Sequence, residues 1–276
     1  MTTRKAIFWS IFWVVLSLLV NALIYLLFGS QKALEFFTGY VIEKSLSVDN
    51  LFVFLLIFSF FEVKPVQQRR VLNYGIVGVI ILRGALILLG TALVREFHWV
   101  MYLFGVILLY SGYQITFGKE RKFNPEGNIV LRIFRRLIPI SDEFREGRFF
   151  FRQNSRLFAT SLFVVLLIIE TTDVVFAVDS IPAIFAITTD PLIVFSSNIM
   201  AVLGLRSMYF VLEKGQRKFE YLKYGVGVVL AYVGAKMLIM DIYKIGVGIS
   251  LVIVAAILVT SVLLSTLLKA DKRVVH

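Results

Sequence analysis

The stretch IIETTDVVFAVDSIPAIFAI, from Ile168 to Ile187, decides how this chain is read. Its apolar residues suit the hydrocarbon of a bilayer, yet it carries Glu170, Asp173 and Asp179, with a proline at Pro182. An acid at the middle of a membrane span costs about 2.5–3.5 kcal/mol on the insertion scale. Several in one segment therefore need partners and a purpose.

The rest of the chain has the same character. Of its 276 residues, 59% are hydrophobic, and they gather in runs such as LFVFLLIFSFF, YGIVGVIILRGALILLG and ISLVIVAAILVTSVLLSTLL. A helix needs roughly 20 apolar residues to cross a bilayer. The composition thus describes an all-α polytopic membrane protein. There is no cysteine, which excludes disulfides and thiolate metal sites, and the two histidines fall near predicted helix ends. The apolar run after MTTRK is too long for a signal-peptide core and is read as a retained helix.

The spacing predicts eight helices, at about 7–28, 34–61, 70–94, 98–117, 157–187, 192–213, 222–241 and 245–268. Pro182 removes a backbone donor and crowds the carbonyl of Val178, so a kink or unwound turn is expected near Val178–Pro182. Lys and Arg concentrate on one side of these spans. Arg4, Lys5, Lys64, Arg69 and Arg70, the loop Lys119–Arg156, Lys214, Arg217, Lys218, Lys223 and the tail lie there; Lys32, Arg95 and Lys244 lie opposite. Cytoplasmic loops carry the basic excess. Both termini are therefore expected in the cytoplasm, and the net charge of +11 is topological and implies no nucleic-acid partner. Within the large loop, Val130, Ile133, Phe134 and Leu137 share one helical face and Arg132, Arg135 and Arg136 another. The pattern fits a helix on the inner membrane surface or a site for a regulatory partner.

Three matches repeat in order along the chain. EKSLSVDN (Glu43–Asn50) parallels DVVFAVDS (Asp173–Ser180), IILRGAL around Arg83 parallels VLGLRSM around Arg206, and GVILLYSG (Gly105–Gly112) parallels GVVLAYVG (Gly227–Gly234). The unit has three spans, and an odd unit repeated head to tail inverts its topology across the membrane. The expected organisation is a flanking helix (1–33), a first repeat (34–117), a basic loop (118–156), a second repeat (157–241), and a last helix with its tail (242–276).

At about 1.5 Å per residue, Asp49, Glu170 and Asp173 fall near the midplane and Glu43 and Asp179 nearer the outer side. Arg83, Arg206, Lys236 and Lys44 are the bases at comparable depth. A lattice of ion pairs that only fixes packing is one reading, but buried pairs stabilise poorly beside apolar residues. A cation path is the other, because intramembrane carboxylates mark such paths. With Asn50, Ser180 and backbone carbonyls, the donors are hard oxygens, which suit Mg²⁺, Ca²⁺ or Mn²⁺ better than Zn²⁺ or Cu⁺. Glu170 and Asp173 share a helix face, but Asp173 and Asp179 are six residues apart and cannot both face one ion in an unbroken helix. Glu43 and Asp49 pose the same problem without a proline, so either helix 2 distorts or the two acids serve different neighbours. Proton exchange for the metal is a natural coupling, since metal binding favours ionised carboxylates. No GxxxxGK[ST] motif is present for an ATP-driven pump, and no GxGD motif for an intramembrane aspartyl hydrolase, so no enzyme activity is expected.

EKSLSVDN, ILRG, ETTDVVFAVDSIPAIFAIT and GLRSMYF together resemble the TerC family of integral membrane proteins. The resemblance covers about helices 2–7. It implies metal-ion export across a bacterial inner membrane, with manganese as the cargo and no prosthetic group. It also implies that Glu43, Asp49, Asn50, Glu170, Asp173 and Asp179 carry the site; the spacing and depth of Ser180, Pro182, Arg83, Arg206 and Lys236 put them in support. The competing expectation is a non-transporting membrane scaffold acting through its cytoplasmic loop.

Overall fold

The computed structural model describes residues 3–118, 128–141, 147–153, 156–213 and 222–267. Parts of the basic loop, Lys214, Arg217 and Lys218, the tail from 268, and the side chain of Asp49 lie outside the described residues. The chain is an all-α polytopic membrane protein, and by length and composition six of its helical segments are able to cross a bilayer. Large apolar side chains such as Leu26, Leu27, Ile81, Leu88 and Val252 are exposed on their outer faces, where lipid would replace water.

The first helix, α1 (Thr3–Phe60), contains both of the first two expected spans, with no loop between them. They meet at Gly29, whose φ of 86° and ψ of 177° only glycine adopts at little cost. Pro65 opens α2 (Pro65–Glu96), where its missing N–H costs nothing. α3 (Val100–Phe117) follows after a short turn. In the second half, α5 (Ser161–Phe185) is followed by α6 (Pro191–Leu203) and α7 (Leu205–Leu212), a span interrupted at Gly204. α8 (Leu222–Leu238) and α9 (Val247–Leu267) close the bundle.

The expected unwinding at Val178–Pro182 is absent. α5 stays helical through Pro182 and ends three residues later at Phe185. Only one hydrogen bond is lost to the proline, and the last turn is held by Ala186 N–H donating to Pro182 O at 3.1 Å.

The loop after α3 contains a short helix, α4 (Ile129–Leu137), and a small sheet that the hydropathy pattern does not announce. β1 (Ile140–Ser141) pairs parallel with β3 (Arg156–Thr160), and β2 (Phe150–Gln153) pairs antiparallel with β3 on its other side. Phe151 and Phe158 are cross-strand partners and stack at 5.5 Å. α4 is docked on α5. Its N-cap Asn128 donates to Thr171 Oγ1 of α5 at 2.7 Å, and Phe134 meets Phe163 of α5 at 4.9 Å. It therefore runs antiparallel along the first half of α5. Leu131 is buried in this contact, while Val130 and Ile133 stay exposed.

α3 and α8 pack along their lengths through the glycines of the matched motifs. Gly105 lies on Gly234, and Gly112 on Gly227. The lower number of one pair meets the higher number of the other, so the two helices are antiparallel. A two-fold exchange of the matched motifs would give this same pairing, because motif positions 105 and 227 correspond, as do 112 and 234. Small residues let the backbones come this close.

Candidate functional site

The second length of α1 and α5 carry the matched acids. Ile42 and Leu46 cluster with Ala177, Ile181 and Ile184, whereas Leu51, Phe54 and Phe58 cluster with Val164, Val165 and Ile168. The two lengths therefore run antiparallel. Gly39 backs onto Ile184. Four residues inward from each is Glu43 and Ser180; eleven inward is Asn50 and Asp173. Counted from that contact, Glu43 is level with Ser180 and Asn50 with Asp173 along the two antiparallel lengths.

Between the two acids stands Arg83 of α2. Its Nε donates to Asp173 Oδ2 and its Nη2 to Asp173 Oδ1, both at 2.9 Å. Its Nη1 donates to Glu43 Oε1 and, at 3.1 Å, to Asn198 Oδ1 of α6. Asn198 returns a bond from Nδ2 to Glu43 Oε2 at 3.1 Å, and Ser47 Oγ donates to Glu43 Oε1 at 3.3 Å. Arg83 and Glu43 are 0% exposed and Asp173 is 1% exposed, so water does not reach the network. Two carboxylates share one guanidinium, which leaves the trio with a formal charge of −1. In such surroundings the pairing is strong, and removing one partner typically costs about 3–5 kcal/mol.

On the helices that carry this trio, several polar atoms are buried without a hydrogen-bond partner. Both carboxylate oxygens of Glu170, the Nδ2 of Asn50 and the Oγ of Ser180 are among them. Buried polar groups are normally paired, so such a group asks for an explanation. Asn50 and Ser180 hold equivalent places in EKSLSVDN and DVVFAVDS. Glu170 is one turn before Asp173 on α5, and its carboxylate lies against α2 at Gly75 and Gly78, in space that a side chain at Gly78 would fill.

The remaining expected residues take other partners. Asp179 accepts from Ser111 Oγ of α3 at 2.6 Å. With α5 unbroken, Asp173 and Asp179 face different neighbours, as a six-residue separation dictates. Arg206, the counterpart of Arg83, does not join the acids; it donates to Asn73 near the start of α2. Lys236 is buried and donates to Ser250 of α9 at 2.9 Å. Lys44 turns away from its neighbour Glu43 and donates to Ala201 O at 3.1 Å, beside the break at Gly204. There it satisfies a carbonyl that the interruption of α6 leaves without a helical donor. Among the described residues, no three acidic or histidine side chains are gathered as a ready metal cage.

Asn198 is absent from the residues that spacing and motif point to. Its signal is nonetheless present: it is an amide inside the apolar run PLIVFSSNIMAVL, and polar side chains at such depth rarely lack a partner.

Relatives of the chain are membrane proteins. A Salmonella typhi protein, whose name reads "membrane-bound redox modulator Alx" as a provisional assignment, is 46% identical over 96% of this chain and 85% of its own length. An "Uncharacterized membrane protein STKORF319" of Myxococcus xanthus is 45% identical over 95% of this chain and 82% of its own. A "Thylakoid membrane protein TERC, chloroplastic" of Arabidopsis thaliana is 45% identical over 86% of this chain, which spans 62% of that protein. No solved structure matches the chain. The family match runs over residues 28–273, so the chain belongs to the Integral membrane protein TerC family.

Proposed function

We propose that the protein carries a divalent metal cation out of the cytoplasm, with manganese as the cargo and protons as the counter-flow. The observation that supports this most is the meeting of Glu43 and Asp173, matched acids of the two units, on one positive charge in a place closed to water. Two carboxylates balance one divalent ion. Asn50, Ser180 and Asn198 add further hard oxygen donors, as Mn²⁺ and Mg²⁺ prefer. The choice of manganese comes from the family resemblance; oxygen donors alone favour neither ion. The setting is a bacterial inner membrane with both termini in the cytoplasm, and no chemical transformation of a substrate is needed. The redox role in the name of one relative has no thiol to act through here, since the chain has no cysteine.

The test is Mn²⁺ flux into proteoliposomes with and without a pH gradient. Flux that rises with the gradient and disappears in Asp173→Asn is expected. An Asp173→Asn protein that transports as well as the parent refutes the site.

A scaffold acting through the cytoplasmic loop is the second reading, favoured by the exposed Val130 and Ile133 on a helix docked against α5. Deleting residues 126–148 separates the two. Loss of cellular function with Mn²⁺ binding intact supports the scaffold.

A further inference from the structure

The network as it stands has no place for a cation. Both oxygens of Asp173 are taken by the guanidinium of Arg83. Both oxygens of Glu43 are taken, one by Arg83 and Ser47 and the other by Asn198. A metal ion placed between these carboxylates would also stand against a guanidinium, and like charges at a few ångströms repel strongly out of water. The cation and Arg83 therefore compete for the same two acids.

Arg83 needs somewhere to go, and the structure offers it. On α2, Gly75, Val79 and Arg83 lie on one buried face. A helical side chain leans toward the N-terminus of its helix, and Gly78 and Gly75 lie on that side of Arg83 along α2. The carboxylate of Glu170 lies there, buried and without a partner, one turn of α5 from the Asp173 that Arg83 now holds. Along the axis of α5 the shift from one acid to the next is about 4.5 Å, the rise of three helical residues.

We infer that Arg83 is a tethered rival of the transported cation and that Glu170 is the carboxylate it moves to when the cation takes Glu43 and Asp173. The inference rests on the transport reading and reassigns Glu170 from metal ligand to partner of Arg83. The charges balance: a divalent ion neutralises Glu43 and Asp173, and Arg83 neutralises Glu170. Arg83 also acts when the cation is absent, because it holds the two units together in place of the ion. Its counterpart Arg206 has no such part, being bonded to Asn73.

The experiment is Mn²⁺ binding to the full chain in lipid nanodiscs, followed by loss of the free-ion EPR signal, for the parent, Arg83→Lys, Arg83→Gln, Glu170→Gln and the double variants. If the unlatched state is a minor population, removing the latch tightens apparent binding by the inverse of that population, about tenfold or more. Arg83→Gln is therefore expected to bind Mn²⁺ at least about tenfold tighter, with Arg83→Lys between it and the parent. Flux should fall in Arg83→Gln, because nothing displaces the ion. Glu170→Gln should weaken binding when Arg83 is present and leave it unchanged beside Arg83→Gln. Equal weakening by Glu170→Gln in both backgrounds makes Glu170 a direct ligand and overturns the inference. So does an Arg83 variant that binds no tighter than the parent. Should Arg83→Gln not fold, the cycle with Arg83→Lys gives the same comparison. A parent protein with no saturable Mn²⁺ binding refutes the transport reading itself, and this inference with it.

Discussion

Gly112 of α3 and Gly227 of α8 meet backbone to backbone, with Ala231 alongside and no room for a side chain on either glycine. A carbon added at Gly112 would press on backbone atoms of α8, which cannot rotate aside as a side chain does. Gly112→Ala should therefore destabilise the protein by about 1–3 kcal/mol, the usual range for overpacking. Gly246 has open space around it, so Gly246→Ala is the control and should be near neutral. Thermal unfolding in detergent, with the two variants side by side, measures the difference. Equal midpoints for the pair contradict the close packing of α3 and α8.

Asn128 has two tasks at the start of α4. Its Oδ1 accepts from Leu131 N at 3.0 Å, and its Nδ2 donates to Thr171. Asn128→Ala loses the cap, worth about 1 kcal/mol, together with the tie to α5. Amide hydrogen exchange in α4 should speed up while α2 and α3 remain as protected as before. Unchanged exchange in α4 means that Phe134 and Leu131 hold it without help.

Asp190 fastens the α5–α6 turn to the second length of α1. Its Oδ2 pairs with Lys32 at 2.9 Å, and its Oδ1 accepts from Leu192 N at 3.1 Å at the start of α6. Burial pulls its carboxyl upward, but the bond and charge of Lys32, with the α6 amides, hold it below the usual carboxylate range. A depressed native pKa gives stability that is full above the unfolded value, about 3.9, and lost as pH falls through the native value. Asp190→Asn keeps an acceptor for the cap and drops the ion pair. Its unfolding midpoint should depend less on pH below about 4 than that of the parent. A steeper acid limb in Asp190→Asn means that the folded state raises this carboxyl instead of lowering it.

Asp173 and Asp179 look alike in sequence, but Asp173 holds Arg83 and Asp179 holds Ser111. Their amide variants should differ. Asp173→Asn is expected to lose saturable Mn²⁺ binding, and Asp179→Asn to retain it. Calorimetric titration of both proteins makes the comparison. Equal loss in the two places Asp179 at the same ion.

Much of this protein is written along one dimension. The apolar lengths, the glycines that let helices touch, the three ordered matches and the depth of Glu43, Glu170 and Asp173 all follow from spacing and from the cost of polarity in hydrocarbon. Partner choice is not written that way. Arg83 and Arg206 hold matching places in the two units, yet one is sealed between two carboxylates and the other is bonded to Asn73. The space between Glu43 and Asp173 is filled by one guanidinium, with Asn198 completing it, and a repeat pattern cannot tell which of two equivalent arginines takes it. The same holds for Lys44, which lies beside Glu43 in sequence and caps a broken helix in space. Sequence sets how deep a charge sits; only the packing of helices decides which opposite charge it meets, because that depends on the direction each side chain takes across an interface and on the room left there.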